Sequence, residues 1–425
     1  MISHRHVTAI GKAVRHASRL RGGSGSALPG LVVEKIDPNF AARALESLPH
    51  GVVVISGTNG KTTTTKIVCH LLRQAGLKVF TNKSGSNFTR GIIASLLAEV
   101  DSHGVLDADI AVLELDEAYA VHFVKRIQPR YALLLNVMRD QLDRFGEIDS
   151  TAQMLKKVAH ATTDTVVLNR DDPLIRAIAD DLPDTRTVYY GVDASLHRHF
   201  PHDQQLYDTD TTKSQDSETK ADVLLTKFDQ DNAWFALEDA QPNKVQMHLS
   251  GVYNLQNAAG ALCLVRQIVE DTPRKTLLDA LSEVRPAFGR GEAISVNGKP
   301  LEIVLVKNPS GFRLALKSYS HAKVATMIAI NDHYADGRDM SWLWDVDFSM
   351  LNKVRLVSGI RAYDMALRLQ YDEVVIEDVE PHLGKAVRRF LSGPAKPRRI
   401  FCTYTAMMQI RKILAKQYHL EDIDA

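Results

Sequence analysis

From Gly51 onward, short apolar runs alternate with longer stretches whose apolar residues recur at helical spacing. Runs at 52–55, 78–81, 109–114, 131–136, 164–168 and 186–190 have the length and β-branched content of strands. Such alternation predicts an α/β fold, a parallel sheet wrapped by helices. The pattern lapses between Gly191 and Asp222, where the chain is polar and nearly free of aliphatics, and a solvated insertion at about 191–222 is expected. Short strands follow at Val223–Phe228, Ala233–Leu237 and Val245–Leu249, then a helix from Gly251 that carries Asn254 and Asn257 on one face. After a turn at Gly298–Pro300 the alternation resumes through EIVLV, KVATMIAI, RLVSGI, EVVIE and IFCTY. This reads as a smaller, Rossmann-like α/β domain. The expected division is an N-terminal helix and hinge at 1–50, a central domain at 51–297 and a C-terminal domain at 298–425. The first helix would turn Val7, Ile10, Val14 and Leu20 to one side and pack on its own domain, with contact to anionic lipid headgroups as the alternative. Gly22–Gly30 would be a flexible hinge.

The 425 residues suffice for two or three domains, and 45% hydrophobic with 24% charged residues is the balance of a globular protein. A formal charge of +1 gives no reason to expect nucleic acid as a partner. No run approaches the ~20 continuous apolar residues that span a bilayer. The basic N-terminus has no apolar core of signal-peptide length. Three widely separated cysteines support neither a disulfide framework nor a cysteine zinc site; Cys69 and Cys263 read as small buried hydrophobes. A cytoplasmic protein fits, with no zinc expected.

The chemistry concentrates in VVVISGTNGKTTTT, residues 52–65. A strand runs into a glycine turn, and Lys61 with four threonines opens a helix. Backbone N–H groups of such a loop point at phosphate oxygens, and the helix dipole adds positive potential. Lys61 would reach the β- and γ-phosphates and the Thr62 hydroxyl would ligate Mg²⁺. One departure is Ile55, where the general pattern has glycine. The strand DIAVLEL ends at Glu114, placed to hold the same metal, whereas Asp116 and Glu117 suit a solvated loop better. Asp140 and Asp143 could face that metal or cap the next helix. In the C-terminal half, Asn331–Asp347 carries aspartates at 332, 336, 339, 345 and 347 with two tryptophans. It reads as a cation, ammonium or base site, or as a capped turn over packed indoles. His197, His199 and His202 form a weak metal pattern.

GTNGKTT, Glu114 at its strand end, NVMRDQLDRFGE (Asn136–Glu147), GVYNLQNAAGA (Gly251–Ala261) and FGRGE (Phe288–Glu292) together resemble the central domain of the Mur ligase family. Folylpolyglutamate synthase shares that fold. LVKNPSGF, NDHYADGRDMSWLWDVDF and SGIRAYDMALRL are similar to its MurT branch. The resemblance implies a ligase in peptidoglycan synthesis that phosphorylates the α-carboxyl of D-glutamate in the lipid II stem peptide and amidates it to D-isoglutamine. It implies a heterodimer with a glutaminase subunit, GatD, that supplies ammonia. It places Gly57, Thr58, Asn59, Gly60, Lys61, Thr62 and Thr63 on ATP, and Thr62 and Glu114 on Mg²⁺. Asn254 and Asn257 would face the nucleotide base, and Arg290 would belong to an ATP-contacting hinge. Asp336 or Asp339 would complete a catalytic triad with the partner's Cys and His.

Departures from the family pattern are Gln141 in place of a metal-binding His, no counterpart in step for the carbamylated lysine (Lys156 and Lys157 lie near), and no four-cysteine zinc ribbon. A ligase that adds a whole amino acid and a non-catalytic P-loop scaffold are the alternatives.

Overall fold

The computed structural model describes residues 4–20, 28–82, 88–139, 148–182, 184–203, 205, 219–238, 240–249, 251–285, 290–296, 298–319, 324–393, 397–418 and 420. Within them nine strands form one sheet: β1 (Val52–Ser56), β2 (Val79–Thr81), β3 (Ile110–Glu114), β4 (Tyr131–Leu134), β5 (Thr165–Asn169), β6 (Arg186–Val192), β7 (Val223–Phe228), β8 (Asn232–Leu237) and β9 (Asn243–Gln246). Their order is β2-β3-β1-β4-β5-β6-β7-β8-β9. Strands β1 to β7 run parallel and the last two antiparallel. Side chains on β1 alternate between two cores, as the pleat requires. Val53 and Ile55 pack with the helices Lys61–Gln74, Tyr253–Ile268 and Arg274–Glu283. Val52 and Val54 face the N-terminal helices on the other side. Burial on both faces explains why β1, β3, β4 and β5 read as unbroken apolar runs.

The helices α1 (His4–Leu20), α2 (Leu28–Ile36) and α3 (Phe40–Glu46) share this second core with α5 (Thr89–Glu99), so they pack as part of the central domain. Two expectations shift here. Ile10 is 38% exposed, and the contact face of α1 runs instead through Val7, Thr8 and Gly11. A Cβ at Gly11 would come within 2.6 Å of Leu97 and 2.7 Å of Val33, so the missing side chain is what lets α1 approach α2 and α5. Leu28–Gly30, expected in the hinge, is the first turn of α2.

A second sheet combines β10 (Arg290–Val296), β11 (Lys299–Leu305), β12 (Ala325–Ala329), β14 (Leu356–Ser358), β16 (Val379–Glu380) and β17 (Arg398–Cys402) in the order β10-β11-β17-β12-β14-β16. The short strands β13 (Lys353–Val354) and β15 (Val375–Ile376) pair beside it. β10 and β11 are an antiparallel hairpin, so Gly298, with φ +72°, is a turn inside this sheet. The sheet therefore begins at Arg290, ahead of the boundary expected at 298. Helices Pro309–Tyr319 and Ala362–Tyr371 cover one face; Leu383–Ser392 and Tyr404–Leu414 cover the other. Among the described residues no helix is long and apolar enough to cross a membrane.

Candidate functional site: a phosphate loop at the carboxyl ends of the central strands

β1 ends at Ser56 and α4 (Lys61–Gln74) begins five residues later, so the chain turns sharply between them. Gly57 (φ +134°) and Gly60 (φ +90°) take conformations that side chains disfavour. The turn is clasped from β4's exit. Asn59 N–H donates to Asn136 Oδ1 at 2.9 Å, and Asn136 Nδ2 returns a bond to the Asn59 carbonyl at 3.0 Å. Thr58 N–H donates to the Asn136 carbonyl at 3.0 Å. Ile55, the departure from the general pattern, is a fully buried core residue of β1.

Lys61 Nζ lies inside the loop, 2.5 Å from the Gly57 carbonyl and 3.3 Å from that of Thr58. It also meets Glu117 Oε2 at 3.4 Å. Glu117 is only 2% exposed, contrary to the solvated role expected of it. The reason is α6 (Glu117–Val124), which starts directly over the loop, so the first carboxylate of its first turn pairs with the buried ammonium. Asp116 is half-buried as well, and its Oδ1 is a buried oxygen with no partner. Register sets the remaining acid: Glu114 stands beside Ile55 and receives the Thr62 hydroxyl at 2.8 Å. Its backbone is locked by Asn82 through two bonds of 2.9 Å, a role nothing in the sequence signals.

These residues fit a nucleoside triphosphate and a divalent cation. A hard cation takes oxygen ligands. Thr62 Oγ1 and Glu114 Oε1 meet at the start of α4, and the buried oxygens Thr63 Oγ1 and, two residues past Glu114, Asp116 Oδ1 are without a partner. The loop would cradle phosphate with backbone N–H groups and Lys61.

Asn257 presses against the loop itself: a Cβ on Gly60 would lie 2.6 Å from its Oδ1. Its amide donates to Asn254 Oδ1 at 3.2 Å, and both asparagines are buried. The structure thus brings the pair to the phosphate loop. Arg290 opens β10, and its side chain lies outside the described residues, as do Asp140, Gln141 and Asp143. Lys156 pairs with Asp181 at 2.6 Å and Lys157 is exposed. His197 sits 3.5 Å from Asp171, while His199 packs edge-on against Phe228. Among the described residues no three His, Cys, Asp or Glu side chains gather as a metal site.

Two buried acids escaped the sequence reading. Asp203, within the polar insertion, reaches back to the Arg139 N–H at 2.6 Å, so the start of that insertion is packed rather than solvated. Asp172 accepts from Val137, Leu174 and Ile175 N–H, and full burial pushes its carboxyl up to about 6 against those bonds. The second domain reaches the loop through Asn308 Nδ2, which donates to Asn59 Oδ1 at 3.2 Å, and through the Ser310 hydroxyl, which donates to the Arg139 carbonyl at 3.0 Å.

The aspartate segment separates its two leading candidates. Asp336 is 2% exposed. It accepts from Thr405 N–H at 2.7 Å, the Thr405 hydroxyl at 2.5 Å and His333 N–H at 3.0 Å, which ties the segment to the start of the helix Tyr404–Leu414. Asp339 is exposed and bonded to Ser341, whose hydroxyl and N–H hold its carboxyl below the usual range. Trp342 is buried against Phe312, but Trp344 stands 48% exposed. The three cysteines are free and buried; burial pushes Cys69 up to about 11, and Cys263 and Cys402 also rise.

The mostly parallel sheet with its phosphate loop and acidic strand end, latched to a second α/β domain, has the fold of the Mur ligase class. Residues 55–265 match the Mur ligase middle domain and residues 305–407 the MurT ligase C-terminal domain. The chain belongs to the MurT family: it is 31% identical to lipid II isoglutaminyl synthase (glutamine-hydrolyzing) subunit MurT of Streptococcus pneumoniae, over 93% of this chain and 94% of that one. The Staphylococcus aureus (strain COL) subunit of the same name is 29% identical, over 86% of this chain and 87% of its own. In fold it is similar to MurF ligase of Thermotoga maritima in complex with ADP, with TM-score 0.66, 18% identity, and coverage of 88% of this chain and 81% of that one.

Proposed function

We propose that this chain is the ATP-dependent synthetase subunit of a lipid II isoglutaminyl synthase and amidates the α-carboxyl of D-glutamate in the stem peptide. The reading is carried by the convergence of Lys61, Thr62 and Glu114 at the start of α4, in a chain that matches the glutamine-hydrolysing synthase subunits along nearly its whole length. A carboxylate oxygen is a poor leaving group, so amide formation needs it phosphorylated first. The γ-phosphoryl group of ATP moves to the carboxylate oxygen and ADP departs. Ammonia then attacks the acyl carbon, and phosphate leaves with the C–O bonding electrons while nitrogen loses a proton. Transfer demands neutralised charge on the phosphoryl oxygens. Lys61 supplies one positive charge, held in place by the loop carbonyls and Glu117. Thr62 and Glu114 would hold Mg²⁺, which would neutralise more of that charge when bound. Asn257 and Asn136 keep the loop in shape.

Ammonia comes from a GatD-type glutaminase. No thiol in this chain is poised as a nucleophile, since a buried thiol with a raised pKa is not a thiolate at neutral pH. Of the two leading candidates, Asp339 is exposed and ionised and so suited to orient a histidine of that partner, the work of a third triad member, whereas buried Asp336 is engaged by Thr405 and His333. The test is Asp339→Asn in the complex, assayed with glutamine and separately with ammonium. Glutamine-driven amidation is expected to fall roughly a thousandfold or more, with ammonium-driven amidation unchanged. Loss of both would move the segment into the ATP or substrate site, and loss of neither would return Asp339 to a turn residue.

A further inference from the structure

On the side of the central domain, α2, α3, α5 and α6 enclose a cavity of about 660 Å³ whose walls are separate from the phosphate loop. Its charge is one-sided. Arg90, Lys125 and Arg126 stand around it with His122, and Glu34 is the one carboxylate among the lining residues. Arg90 Nε donates to Glu34 Oε2 at 2.9 Å, so that carboxylate is already engaged. Arg126 donates to the Pro38 carbonyl at 3.3 Å, and among the described residues neither it nor Lys125 meets a carboxylate. Positive potential gathered in a concave site draws in an anion of several charges. Phe88 and Tyr119 line the same cavity as an edge-to-face pair, ring centroids 4.6 Å apart, exposed to 43% and 41%. Aromatic rings beside a few convergent polar groups are the lining of a ligand site, and a sugar, apolar on its C–H faces, is a ring that rests on them.

We infer that this cavity holds the diphosphate and the adjoining sugar of the lipid-linked substrate, with Arg90, Lys125 and Arg126 on the phosphate oxygens and the Phe88–Tyr119 pair against the sugar. The inference rests on the amidation reading above and adds to it how the far end of the substrate is held. Lipid II carries its stem peptide on one side of a sugar and a diphosphate ester on the other. A diphosphate esterified at both ends keeps a negative charge on each phosphorus at neutral pH, and guanidinium forks pair well with such oxygens. Three cations against one carboxylate leave the cavity an excess of the opposite sign. Position supports the match. α6 starts at Glu117, on the Lys61 ammonium, and its far end is capped by Lys125. At a rise of about 1.5 Å per residue these ends lie about 12 Å apart. The reacting carboxylate and the diphosphate are separated by the sugar and the first residues of peptide, an extended span of roughly 10–15 Å. A carboxylate seated at the phosphate loop therefore leaves the diphosphate within reach of the cavity. Anionic bilayer lipid offers the same phosphate chemistry, but a phosphatidylglycerol headgroup brings no ring to Phe88 and Tyr119.

The test uses the full chain with its glutaminase, ammonium as nitrogen source, and neutral detergent micelles. Three substrates are compared: lipid II, the muramyl stem peptide without diphosphate, and the stem peptide without sugar. Lys125→Gln combined with Arg126→Gln is expected to lower the preference in kcat/KM for lipid II over the muramyl peptide by roughly tenfold or more. Phe88→Ala should lower the preference for the muramyl peptide over the free peptide by about threefold or more. Lys35→Gln removes the same charge from an exposed site on α2 outside the cavity, and both preferences should stay within about twofold of wild type. An unchanged lipid II preference in the double variant overturns the diphosphate assignment, and so does an equal fall with Lys35→Gln. An unchanged sugar preference in Phe88→Ala overturns the aromatic contact. If the double variant keeps its preference but no longer floats with phosphatidylglycerol vesicles free of lipid II, the cations serve the bilayer and the inference fails. Binding of lipid II micelles is measured apart from turnover. If wild type binds them through these cations yet never amidates lipid II, the functional reading falls and the cavity assignment stands.

Discussion

The place of Lys61 after Gly60 marks it in the sequence as a candidate phosphate ligand, but its ion pair with Glu117 leaves no such mark. Pairing with Glu117 depends on where α6 begins, and no local pattern encodes that start. The pair has a measurable consequence. Removing one member of a buried pair strands the other and costs about 3–5 kcal/mol. Lys61→Ala is therefore expected to lower the free energy of unfolding in urea by about that much, and Lys61→Ala combined with Glu117→Gln to recover most of it. Amidation should stay depressed by roughly two to three orders of magnitude in both variants. If the double variant regains activity along with stability, Lys61 serves only as a counter-ion to Glu117. The other unforeseen residues share one trait. Asn82, Asn136 and Asp172 act through backbone groups distant in sequence, and polar side chains that satisfy remote N–H and C=O groups leave no periodic trace.

Elements were read better than residues, because a strand buried on both faces announces itself as an apolar run. β1, β3, β4 and β5 fall where the runs predict them, give or take a residue or two. The reading slipped where a glycine inverted the rule. Apolar periodicity put Ile10 on the contact face of α1, whereas the close approach at Gly11 turned it outward. The aspartate segment is the sharper case, since composition could not tell a capping carboxylate from a free one. Asp336 binds Thr405 and His333, so Asp336→Asn should cost about 1–3 kcal/mol by leaving a buried donor against a donor. Asp339→Asn should stay within about 0.5 kcal/mol of wild type. Thermal unfolding of the two variants checks this, and equal midpoints would mean that Asp336 does not hold the helix Tyr404–Leu414 in place.

For the whole molecule, alternation of strands and helices foretold two α/β sheets, but the seam between them was set by pairing that sequence does not display. The Gly298 turn reads as a linker until β10 is seen to pair with β11, which places Arg290–Val296 in the second sheet. Asn308 on Asn59 and Ser310 on Arg139 then bring the start of the helix Pro309–Tyr319 to the phosphate loop. The architecture thus sets the phosphate loop on the central domain beside a second domain that presents Asp339 outward. In the proposed reaction the substrate carboxylate is phosphorylated before nitrogen attacks. The most direct measurement supplies lipid II with heavy oxygen in the D-glutamate α-carboxyl, together with ATP, Mg²⁺ and ammonium, and analyses the phosphate released. One heavy oxygen per amide formed is expected in inorganic phosphate. Amide formation with unlabelled phosphate would contradict the account.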